Sequence, residues 1–267
     1  MSTVASSVES IGATGTCAQT RDRFFLAMTG TLLLLVLIGF TPTLYMRALF
    51  PVPPIPTSLY VHGAVLTSWY VWLVMQAWLI QSGRLAAHRQ LGLIGAALGV
   101  AVVGMALFTT LNAVTRNAPP GGDFDADIST LGLGFSGTPI VVFAARQVWG
   151  NLAGVCAFAT LFASAILLRG RPQVHKRLVL LAGMSIMGPA VTRIAQWPVL
   201  GSAGGAFGPI VGVSLWVAVV VHDLITTRRV HPATLIGIGL SIAIGVGQGL
   251  LLEFAPDLTQ GFVRWLA

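Results

Sequence analysis

The sequence predicts an all-α fold, a polytopic bundle of seven transmembrane helices. Three observations carry that prediction. Hydrophobic residues fill 55% of the 267 positions and charged residues only 9%, against about a quarter charged in an average soluble domain. The mean hydropathy is +0.84. Apolar runs recur along the whole chain, each near the ~20 helical residues that a bilayer core of ~30 Å requires.

Residues 1–20 are rich in Ser, Thr, Gly and Ala without periodicity and predict a disordered cytoplasmic tail. They lack the charged, apolar, small-residue order of a cleaved signal peptide, and Cys17 follows no apolar run that would mark a lipoprotein anchor. Cys17 sits in this polar tail and Cys156 inside an apolar run, so the two do not read as a disulfide.

Residues 21–267 read as one transmembrane domain. The spans fall at 24–46, 58–81, 91–112, 146–168, 177–199, 207–226 and 233–254. Arg21 and Arg23 precede the first span. The second turn carries Arg84, His88 and Arg89, the fourth Arg169, Arg171, Lys176 and Arg177, and the sixth Arg228 and Arg229. The alternate connections and the C-terminus hold few basic residues but carry Asp123, Asp125, Asp127 and Asp257. Counting positive charge places the N-terminus inside and the C-terminus outside. Lys176 is the single lysine among 15 basic residues, a bias compatible with a GC-rich bacterial genome, so the expected location is a bacterial inner (plasma) membrane.

Proline and glycine set the local shape. Pro42 and Pro189 lie inside spans and predict kinks. Gly92, Gly95, Gly99 and Gly104 in the third span, and Gly237, Gly239, Gly245, Gly247 and Gly249 in the seventh, predict close helix contact. The longest connection, 113–145, has a polar first half. Its Asp123, Asp125 and Asp127 alternate like a calcium loop but lack the glycine and later glutamate, so a solvated acidic loop is expected. The stretch 129–145 is apolar but broken, and predicts an interfacial or re-entrant piece.

GRLAAHRQLGLIGA at 83–96 aligns without a gap with GRPQVHKRLVLLAG at 170–183, and TRRVHPATLIGIG at 227–239 is a weaker third copy. One leading helix and three hairpins with His-bearing turns would produce this parallel pattern; convergence of short turns on Gly and Arg would produce it too.

Three sets of residues could carry chemistry. His62, Trp69 and Gln76 are spaced by seven and share one face of the second span, as the lining of a site or as packing. Arg146, Arg193 and Glu253 lie at or inside the outer ends of their spans. Paired there beside His62, Gln147, Gln196 and Trp197, they would form an outward pocket for an anionic or polar ligand. His88, His175 and His222, with His231 and Asp223, lie near inner helix ends. Two histidines on facing helices could ligate a b-type haem and three could hold a metal, whereas Arg89, Lys176 and Arg177 beside them suit phosphates.

The +7 formal charge is scattered between apolar runs, so the expected partner is the lipid bilayer and not nucleic acid. The seventh span has no lysine for a retinal Schiff base. The chain has no Walker loop, no Gly-x-Ser-x-Gly elbow and no His-Glu-x-x-His.

His62-x6-Trp69-x6-Gln76, then Gly83-Arg84-x3-His88-Arg89-x-Leu91-Gly92, then the run at 175–182, resemble uncharacterised bacterial multi-pass membrane proteins whose short loops carry a His-Arg-x-Leu-Gly turn. The resemblance covers 62–182 and implies a multi-pass inner-membrane protein without assigning an activity. Histidines at helix ends are also similar to those of cytochrome b561-like reductases, which implies haem. Two functions stay open: a buried polar site for a small molecule or ion, used in transport or sensing, and a haem- or metal-dependent membrane redox protein.

Overall fold

The computed structural model describes residues 23–50, 52, 54–131 and 137–267. The tail at 1–20 and part of the expected re-entrant piece lie outside the described residues. The described residues are helical, with no named strand and one isolated bridge between Asp127 and Pro139.

Ten helices follow in order: α1 Phe24–Phe40, α2 Thr57–Gln81, α3 Leu85–Leu111, α4 Ala113–Arg116, α5 Ile140–Leu167, α6 Pro172–Ser185, α7 Gly188–Ala195, α8 Gly204–Thr227, α9 Pro232–Phe254 and α10 Pro256–Leu266. Six helices are long and apolar enough to cross a membrane, or seven if α6 and α7, bent by 45° at their break, count as one span. Leu34, Leu93, Val100, Ile225 and Ile236 are among the large apolar side chains turned outward, a surface suited to hydrocarbon.

Both expected kinks are present. α1 runs into a π-turn at Thr41–Tyr45 that contains Pro42. Pro189 cannot donate to the carbonyl of Ser185 and its ring would clash there, so the helix breaks just before it. Tyr70 Oη donates to the carbonyl of Gly183 at 2.9 Å, which satisfies backbone next to the break.

Three span starts move, the fifth beginning at Pro172 rather than 177. The third span begins at Leu85, because a helical turn that includes His88 and Arg89 extends below the apolar run. α5 begins at Ile140, so 140–145 belongs to a span and not to the loop. α10 was not foreseen. It lies against α5, with Trp149 Nε1 donating to the carbonyl of Thr259 at 3.3 Å. Val263 joins Val114, Phe124, Ile128 and Ile140 in a small core that caps this end. The main core gathers Leu32, Trp69, Tyr70, Phe158, Leu161 and Leu180 from the central helices.

The glycines divide. A Cβ at Gly95 would strike Trp72, one at Gly99 would strike Phe162 and one at Gly237 would strike Leu181; Gly92, Gly104, Gly239, Gly245, Gly247 and Gly249 meet nothing. The start of α1 and the α2–α3, α5–α6 and α8–α9 turns share the basic end, where His88 meets His175 and Phe24 meets His222.

Candidate functional site

Two buried polar clusters sit at the basic end. The first joins α6, α8 and α9. Arg177 and Asp223 are both fully buried, and Arg177 Nε donates to Asp223 Oδ1 at 3.0 Å with Nη2 on the same oxygen. Nη1 donates to the carbonyl and side chain of Gln173 at 2.8 and 3.0 Å. Asp223 Oδ2 accepts the Thr234 hydroxyl at 2.6 Å and the His231 amide at 3.0 Å. Both Asp223 oxygens are thus occupied, which is how a charged pair survives burial. The cluster ties three helices together and leaves no acceptor open for a ligand. Beside it, His231 Nδ1 accepts the Ala233 amide at 3.1 Å and caps α9. Burial, with Arg177 nearby, holds His231 below the ordinary histidine value.

The second cluster joins α2, α3 and α6. His175 Nδ1 lies 2.9 Å from the carbonyl of Ala165, which can only accept. In the neutral ring Nδ1 therefore carries the proton and Nε2 keeps its lone pair. The His88 ring lies 6.5 Å from that of His175, at 73°, and against the backbone carbonyl of Gln76. His88 Nδ1 and both polar atoms of the Gln76 amide are enclosed without a hydrogen-bond partner. These unpartnered atoms, with the His88 and His175 rings, are the candidate site.

Above it the bundle is plugged. Trp69 is 1% exposed and packs edge-on against Phe158 and Phe162, each with ring centroids 5.2 Å away. Its Nε1 is also without a partner. At the far end of the same helix face, His62 Nδ1 lies 3.0 Å from Thr109 Oγ1. That hydroxyl donates to the Met105 carbonyl at 2.8 Å, so it accepts from His62. The three residues spaced by seven thus occupy three levels of one seam: a satisfied histidine, an aromatic plug and an unsatisfied amide.

The outer charge set divides between two places. Arg146 and Glu253 line a cleft of about 380 Å³ with Gln248 and Gln260, between α5, α9 and α10. No salt bridge joins them among the described residues. Arg193 stands elsewhere, over the Phe40 ring at 4.4 Å. The inner histidines divide too. His222 stacks on Phe24 at 4.0 Å, 3.8 Å from Asp223 Oδ1, and does not join His88 and His175. Among the described residues no three of His, Cys, Asp or Glu come close enough to hold a metal, because the α1 aromatics hold His222 on α8, on the other side of the Arg177 pair.

The acidic loop is a fold element. Asp127 accepts amides from Ser129, Gly137 and Thr138 at 2.9, 2.6 and 3.0 Å. The Ser129 amide first, then the others, holds its carboxyl below the usual range. A groove of about 760 Å³ runs along α2 and α3, but its Tyr45 and Thr67 hydroxyls bond each other at 2.6 Å.

Sequence reading missed the pairing of Arg177 with Asp223. Two signals could have found it. Arg177 occupies the repeat position held by Gln90 in the first copy, and Asp223 is the one carboxylate a full turn inside a span's basic end. No protein-family model, no curated protein and no solved structure matches this chain.

Proposed function

We propose that this chain is an integral protein of a bacterial plasma membrane, basic end towards the cytoplasm, that holds a small hydrogen-bonding solute between Gln76, His88 and His175. Transport or sensing is the use of such a site. The observation that carries the reading is the Gln76 amide, enclosed at both polar atoms with no partner. Leaving one buried polar atom unsatisfied costs about 1–3 kcal/mol, and His88 Nδ1 adds a third such atom. A solute presenting both a donor and an acceptor would satisfy all three.

The packed rings of Trp69, Phe158 and Phe162 support the same reading, since they lie on the same helix face between Gln76 and His62. A polar site held inside the bundle suits a carrier or a sensor. Native mass spectrometry of protein purified from its host membrane tests this. Wild type is expected to release a small molecule that Gln76→Leu lacks. Identical spectra for both would overturn it.

The paired rings and the anchored Nδ1 of His175 favour a second, redox reading in which His88 and His175 hold haem or a metal. A Soret band lost in His88→Ala would support it, and a colourless, metal-free preparation would remove it.

A further inference from the structure

The end of the bundle opposite the basic turns holds the cleft of about 380 Å³ between α5, α9 and α10. Four polar side chains line it. Arg146 comes from the second turn of α5, Gln248 and Glu253 from the last two turns of α9, and Gln260 from α10. The spacing explains the shared walls. Val142 and Arg146 are four apart, as are Gly249 and Glu253, so each pair lies on one side of its helix.

None of the four polar side chains makes a hydrogen bond or ion pair among the described residues. Arg146 and Glu253 are exposed, so each keeps its charge without the other. The fold does not use them to hold α10. That helix is fixed by Trp149 Nε1 on the Thr259 carbonyl at 3.3 Å, by Thr115 Oγ1 on the Leu266 carbonyl at 2.8 Å, and by the Arg264 pair with Asp125. A guanidinium, a carboxylate and two amides thus face one cavity with their hydrogen-bonding groups unspent.

The two charges select the ligand. A simple anion drawn to Arg146 meets the Glu253 carboxylate, and a simple cation drawn to Glu253 meets the Arg146 guanidinium. We infer that this cleft binds a zwitterion, with an oxyanion at the Arg146 end and a primary ammonium at the Glu253 end. The planar fork of Arg146 donates to two oxygens of the anion. Glu253 accepts from the ammonium, and the Gln248 and Gln260 amides donate or accept between them. The volume fits, since small-molecule sites run to about 300–1,000 Å³. Gln76 lies at the basic end, so this site stands on separate observations and does not depend on the Gln76 reading.

The same chemistry has two sources, a soluble zwitterion or the phosphoethanolamine headgroup of a lipid. The full chain in phosphatidylglycerol nanodiscs, whose headgroup carries no ammonium, is titrated with O-phosphoethanolamine at fixed ionic strength to test the first. Nanodiscs that also contain phosphatidylethanolamine test the second. A saturable rise in Tm with O-phosphoethanolamine, larger than with inorganic phosphate or ethanolamine, assigns a soluble zwitterion. Its affinity is expected to weaken about tenfold or more in Arg146→Gln and in Glu253→Gln. A rise only with phosphatidylethanolamine, with that lipid retained in native mass spectra of wild type and lost in both variants, assigns the headgroup. Gly249 lines the cleft and a Cβ there would meet nothing. Gly249→Leu therefore keeps both charges, narrows the cleft and is expected to weaken binding as well. The proposal is overturned if neither probe separates wild type from these three variants. It is also overturned if phosphate or ethanolamine alone does as well as O-phosphoethanolamine, or if Arg84→Gln, at the basic end, shows the same loss.

Discussion

Arg177 with Asp223, and Gln76 with His88, are two buried polar clusters at the same end of one bundle. They differ in what surrounds their polar atoms. The Arg177 cluster holds a fully buried ion pair, and its carboxylate oxygens and donating nitrogens have partners. The Gln76 cluster contains no carboxylate or guanidinium, and three of its polar atoms have no partner. A saturated ion pair holds α6, α8 and α9 in register and offers nothing to a ligand. An unsaturated amide beside two imidazoles adds little to the fold and offers donors and acceptors to a solute. Charge thus marks the helix clasp here, and unsatisfied polarity marks the proposed site.

The largest expected effect breaks the clasp. Asp223→Leu leaves Arg177 buried without its counter-charge and is expected to cost about 3–5 kcal/mol, read as a fall in Tm in nanodiscs. The double variant Arg177→Met, Asp223→Leu removes both charges and is expected to recover most of that loss. Failure of the double variant to recover would mean that the hydrogen bonds to Thr234 and His231, not the charge pair, hold the helices.

A smaller effect sharpens the comparison at the clasp's edge. His231 caps α9 only while its Nδ1 is unprotonated. Its folded pKa lies below the ordinary 6.5, so its contribution is complete above about pH 6.5 and is lost as pH falls through the lowered folded value. The protection factors of the Ala233 and Thr234 amides, measured against their intrinsic exchange rates at each pH, are expected to fall over that window by the ~1 kcal/mol of a helix cap. His231→Asn, which keeps an acceptor, is expected to abolish the pH dependence. Protection factors that ignore pH in wild type would remove the cap from the account.

Most of the fold is legible in the sequence because hydropathy and the spacing of basic turns are local signals. The spans, the bends at Pro42 and Pro189 and the close approach at Gly95, Gly99 and Gly237 all follow from residues within a turn or two. The polar start of α3 hid below its apolar run, and α5 lost its first turn to a glycine-rich neighbour. α10 is amphipathic, with Asp257 and Arg264 among its apolar residues, and too short to register as a span. The site was half legible. The spacing of His62, Trp69 and Gln76 placed them on one face, and the turn repeat set His88 and His175 at one depth. What each of them touches depends on helices far apart in sequence: Thr109 lies 47 residues from His62, and Asp223 lies 46 from Arg177. No local pattern reports such pairings, or the absence of one at Gln76.

The thermal stability of Gln76→Leu tests the central claim most directly. Wild type and variant would be stripped of small molecules in nanodiscs, melted, and melted again with the small-molecule fraction released from wild-type protein. Stripped wild type carries an unsatisfied amide that leucine removes, so the variant is expected to melt higher. Restoring the fraction is expected to raise the Tm of wild type and leave the variant unchanged. A variant that melts below stripped wild type, with neither protein responding to the fraction, would contradict the account.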